Sequence, residues 1–92
     1  MILYLDTGAL VKRYFREPFS EEIVSRWGSA AHLVTSFVAY AETMAALHRK
    51  KREANVVEDL FRRIAGQFHE DWQAFVRVEV NGGLEPYRLR LL

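Results

Sequence analysis

Cysteine is absent from this chain of 92 residues, so neither a disulfide framework nor a thiolate metal site is available. Long apolar runs are lacking too. Nothing in the sequence suits a membrane span, and the N-terminus carries no signal-peptide pattern. A soluble, cytoplasmic protein without membrane partners is the expectation. Neither sign of charge dominates: 13 Lys and Arg stand against 12 Asp and Glu, leaving +1. Attraction of the whole chain to nucleic acid is thereby excluded, and any such contact must come from local patches. Repeats, low-complexity tracts and linkers are missing. So is a phosphate-binding loop, because Gly82-Gly83 has neither the lysine nor the helix-opening context that one needs. His32, His48 and His69 have no ligand-like spacing and read as structural.

What is present is an ordinary globular composition, 50% apolar and 27% charged, long enough for one domain over residues 1–92. Ile2-Leu3-Tyr4-Leu5 is a short apolar run suited to a buried strand. Ala9 to Phe15 has helical spacing and should stop near Glu17-Pro18. Ser20 opens a second short helix that ends near Gly28, and Leu33-Val34-Thr35 reads as a second strand. Ser36 is a candidate cap for a third helix, from Phe37 to about Lys51, which ends in the basic run Arg49 to Arg52. A fourth helix is expected from Glu53 to Ala74, with Val56, Val57, Leu60, Phe61, Ile64, Phe68, Trp72 and Phe75 in its apolar stripe. Phe75 to Val80 alternates as a third strand. A turn at Asn81-Gly82-Gly83 and an amphipathic segment from Leu84 to Leu92 follow. Alternation of this kind predicts a mainly parallel sheet covered by helices.

Two carboxylates stand out by their isolation. Asp6 is the only charged residue among the first eleven, and Glu42 is the only one from Leu33 through Ala46. Asp6 closes the first strand, at the edge where open α/β sheets build their sites. Together the two acids suit a hard divalent cation, Mg²⁺ or Mn²⁺. Blander readings stand beside this one. Asp6 is also a natural N-cap, a task Thr7 can share, and Glu42 suits a surface pair with a cation such as Arg49. Lys12, Arg13 and Arg16 are candidates for phosphate-backbone contact, with a solvated helix face as the alternative. Trp27, Trp72 and the phenylalanines fall mostly on helical stripes and read as core.

The opening Ile-Leu-Tyr-Leu-Asp-Thr-Gly-Ala-Leu-Val-Lys-Arg-Tyr, followed by Arg-Glu-Pro, resembles the start of PIN-domain proteins, especially VapC-type toxins. Val34-Thr35-Ser36, then Tyr40-Ala41-Glu42 and Ala46-Leu47, resembles that family's second strand and glutamate-bearing helix. The resemblance implies a three-layer α/β/α PIN-like fold with a short, mainly parallel sheet. It implies a metal-dependent endoribonuclease of a toxin–antitoxin pair, in which Asp6 and Glu42 hold Mg²⁺ or Mn²⁺ and Thr7 supports them. Its partners would be RNA, a cognate antitoxin protein and further copies of itself. The sequence departs from the family at Gly8, where serine or asparagine is frequent. It also lacks the later acids: Glu70, Asp71 and Glu85 do not occupy matching places. A domain truncated at its C-terminus is therefore expected, with a catalytically incomplete protein-binding or self-associating remnant as the alternative.

Overall fold

The structure is a computed structural model and describes residues 1–79. Its elements run β1 (Ile2–Tyr4), α1 (Thr7–Tyr14), α2 (Ser20–Ser29), β2 (His32–Ser36), α3 (Ala39–Glu53), α4 (Glu58–Ala74) and β3 (Val76–Val78). The three strands form one parallel sheet in the order β1-β2-β3. The α/β class and parallel pairing are those the sequence indicates. The expected turn at Asn81-Gly82-Gly83 and the segment Leu84 to Leu92 lie outside the described residues.

Strand alternation separates two sheet faces. Leu3, Leu5 and Phe75 fall on one, and there they join Leu10, Leu47, Phe61, Phe68 and Trp72 of the helices in a continuous core. Ile2, Tyr4, Val34 and Val76 fall on the other face. Val34 of the central strand is buried, but Ile2 and Val76 on the outer strands are 38% and 49% exposed. Among the described residues the helices thus gather on one side. The topology accounts for this: strands added in sequence order through right-handed crossovers place both helix pairs on the same face.

Several boundaries differ from the sequence reading, each for a local reason. Ser36 does not cap α3, whose N-cap is Val38 without a side-chain bond; Ser36 ends β2, and its Oγ accepts from the Val38 amide at 3.2 Å within the turn that precedes the helix. Phe37 and Val38 therefore lie outside the helix and are 55% and 59% exposed. The end of α3 lies at Glu53, where the fourth helix was expected to begin. There Asn55 adopts φ 53°, Val56 N–H donates to the Lys51 carbonyl at 3.0 Å, and Asn55 N–H donates to that of Arg52 at 3.4 Å. This is a Schellman termination with asparagine in the left-handed position. As a result Val57 and Leu60 are 67% and 47% exposed, whereas Phe61, Phe68 and Trp72 are buried.

Candidate active site at the carboxyl end of the sheet

Two bonds from β2 fix the end of β1. The Leu5 amide donates to the Val34 carbonyl at 2.8 Å, and the Thr35 hydroxyl donates to the Leu5 carbonyl at 2.7 Å. Thr35 is fully buried, so this anchor is shielded from water. Asp6 follows at once, as the N-cap of α1, and its Oδ1 accepts from the Ala9 amide at 2.9 Å. Among the described residues Oδ2 has no hydrogen-bond partner. The capping reading of Asp6 is therefore correct, and it leaves one carboxylate oxygen for other work.

Glu42 lies in the first turn of α3, so it too stands at a helix N-terminus, where the peptide dipoles favour negative charge. Its Oε1 accepts from the Thr7 hydroxyl at 2.7 Å, 35 residues away in sequence. Thr7 thus does not share the cap; it orients the second acid. The hydrogen-bond partner of Glu42 is Thr7 rather than Arg49. Asp6, Thr7 and Glu42 line one cavity of about 230 Å³ with Tyr4, Thr35, Ser36, Val38 and Ala39. Tyr4, Thr35 and Ser36 escaped the sequence reading as site residues. Their only signal is position, at the ends of β1 and β2, which is legible once the strand register is known.

The cations predicted to accompany the acids are placed elsewhere. Lys12, Arg13 and Arg16 line a separate groove of about 510 Å³ between α1 and α2, with Ser20 and Val24. Lys12 pairs with Glu17 at 3.4 Å and Arg16 with Glu21 at 2.8 Å. The Arg13 guanidinium lies over the rings of Tyr14 and Trp27 at 5.7 and 5.4 Å. Asp71 accepts from the Tyr14 hydroxyl at 2.6 Å and from the Gln67 amide at 2.9 Å, and so serves the packing of α4 on α1. His69 meets the Tyr40 hydroxyl at 3.1 Å, and His48 lies against Phe61, in keeping with their structural reading.

Among the described residues no three His, Cys, Asp or Glu side chains converge on one point. Two carboxylates and neighbouring hydroxyls still make an all-oxygen donor set. Such a set fits a hard cation that keeps most of its water.

A parallel α/β sheet that delivers paired carboxylates to one cavity at its carboxyl edge defines a class of ligand-handling α/β domain. Within it, the PIN domain model matches residues 3–79, and the chain belongs to the PIN domain family. Membership places it among nuclease-type domains, which generally use a divalent metal. Comparison with curated protein sequences gave no match.

Proposed function

We propose that the chain acts as a metal-dependent endoribonuclease of the VapC kind, the toxin of a toxin–antitoxin pair. The observation that carries this reading is the meeting of Asp6 and Glu42 in one cavity, with Thr7 bonded to the second. Asp6 Oδ2 and Glu42 Oε2 are the oxygens that would hold Mg²⁺ or Mn²⁺. Such an ion, when bound, would lower the pKa of a water and polarise the phosphodiester. The chain's own contribution is preorganisation. The Ala9 amide fixes the Asp6 carboxylate, the Thr7 hydroxyl fixes Glu42, and the buried Thr35 anchor fixes the strand end that carries both Asp6 and Thr7.

Asp6→Asn and Glu42→Gln test this cleanly. Asparagine caps a helix as well as aspartate, and glutamine still accepts from Thr7, so each variant removes charge and little else. Cleavage of single-stranded RNA in Mg²⁺ or Mn²⁺ should fall by about a hundredfold or more in each, the scale of losing a group that stabilises developing charge. Unchanged cleavage would overturn the assignment.

Among the described residues, a second reading is favoured by the exposure of Ile2 and Val76 on the sheet face that no helix covers and by the pairing of β1 on one side only. In it, the domain works as a binding module that holds an antitoxin or a second copy of itself. A monomeric mass in solution, together with metal-dependent cleavage, would count against it.

A further inference from the structure

We infer that Phe37 is a base-stacking residue: it seats an unpaired base of the RNA beside the Asp6–Glu42 cavity. This rests on the ribonuclease reading and adds to it how the substrate is held. Of the six phenylalanines, Phe61, Phe68 and Phe75 are buried and Phe15 packs against the core, which leaves Phe19 and Phe37 exposed. Phe19 lies in the connection from α1 to α2, beyond the C-terminal end of α1 from Asp6. Phe37 stands in the chain between two residues that line the cavity, Ser36 and Val38, without lining it itself. Consecutive Cα atoms are about 3.8 Å apart.

Phe37 is exposed yet firmly mounted. Its amide donates to the Val78 carbonyl at 3.0 Å, tying the turn to β3, and the Ser36 hydroxyl accepts from Val38 across the same turn. The backbone that carries the ring is thus tied down at the carboxyl end of the sheet, and the residue is 55% open to solvent. An aromatic on a held backbone is a ready-made face for a base, because only two side-chain angles have to be ordered on binding.

Charge points the same way. The cavity carries two carboxylates, which repel a phosphate backbone. Lys12 and Arg16 lie in a different groove and are paired with glutamates, and Arg13 is stacked on aromatic rings. These three cations do not line the cavity, so an uncharged contact complements the hold that a bound metal ion would give. Stacking supplies one, and it is open only to a base that is not already paired within a duplex.

The test uses the full chain with Glu42→Gln, so that RNA is bound without being cut. The probe is a short single-stranded oligoribonucleotide carrying 2-aminopurine, whose fluorescence is quenched on stacking. Binding should quench it. Phe37→Ala should weaken affinity by roughly tenfold and abolish the quench, whereas Phe37→Trp should preserve both. Phe37→Leu keeps an apolar side chain and should behave like Phe37→Ala. Equal affinity and quench in Phe37→Ala, or full retention of both in Phe37→Leu, would overturn the proposal while leaving the nuclease reading in place. A parent chain that neither binds nor cleaves the RNA would overturn both. Circular dichroism and the urea midpoint of each variant confirm that it is folded.

Discussion

At the scale of single residues, the turn Glu17-Pro18-Phe19-Ser20 shows a local rule being broken. The Ser20 amide donates to the Glu17 carbonyl at 3.0 Å, and Phe19 has φ 72° and ψ 5°. Those angles at the third position of a turn with proline second are the ones that favour glycine. Phe19 is 73% exposed, so its side chain recovers little of the cost by burial. Left-handed backbone costs an L-residue roughly 1–2 kcal/mol, and the greater freedom of glycine in the unfolded chain gives part of this back. Phe19→Gly should therefore stabilise the protein by roughly 1 kcal/mol, read as a higher urea midpoint, while Phe19→Ala should not. Sequence alone placed the end of the helix near Glu17-Pro18, whereas α1 already ends at Tyr14, with Phe15 in extended backbone as its C-cap. Sequence could not reveal the turn, because the signal that announces one is a glycine and the residue present is phenylalanine. The same limit hid Asn55, whose left-handed conformation ends α3 and moves the start of α4 to Glu58.

Between elements, Tyr14 is the main coupling. It ends α1, packs edge-on against Phe68 and Trp27 at 5.6 and 6.3 Å, and donates to Asp71 of α4. Burial pushes its phenol well above the usual range, and the bond to Asp71 pushes it the same way. Tyr14→Phe keeps the ring contacts and removes the bond to a charged acceptor. It should cost about 1.5–3 kcal/mol, measured by urea unfolding, with the helices retained. Periodicity made the elements themselves readable: Phe61, Phe68 and Trp72 recur on one face of α4 and all are buried. Their pairing was less readable. Tyr14 and Asp71 are 57 residues apart, and nothing in either segment names the other. Asp6 and Glu42 are the instructive exception. Each was conspicuous as a lone charge in an apolar stretch, and the parallel sheet brings both strand ends to the same edge, so sequence isolation became spatial proximity.

For the molecule as a whole, pH should act from both ends. The Lys50 ammonium, with Lys12 beside it, holds the Glu17 carboxyl below its ordinary value of 4.5 and ties the α1–α2 connection to α3. A carboxylate lowered in the folded state stabilises fully above the ordinary range and loses that contribution as pH falls through the lowered value. Glu58, lowered by Lys51 and then by Arg62, acts in the same direction but is exposed and screened. Tyr14 works oppositely. A phenol raised in the folded state stabilises below its ordinary value of 10.0, and the contribution drains away as pH climbs beyond it. Lys50, raised by Glu17, adds to that alkaline loss. The urea midpoint should be flat near neutrality and fall on both sides. Glu17→Gln should blunt the acid fall and Tyr14→Phe the alkaline one. The strand order has a consequence in time as well as in space. Ile2 pairs with His32 and Val34 with Val76, so each strand docks on one that precedes it in the chain. Among the described residues, no strand has to wait for a later one to be inserted between it and its neighbour. As the chain leaves the ribosome, β1 with α1 and α2 can receive β2, and that sheet can then receive β3. Of these three strands the one that leads to Asp6 is made first, and the strand order lets assembly follow the direction of synthesis.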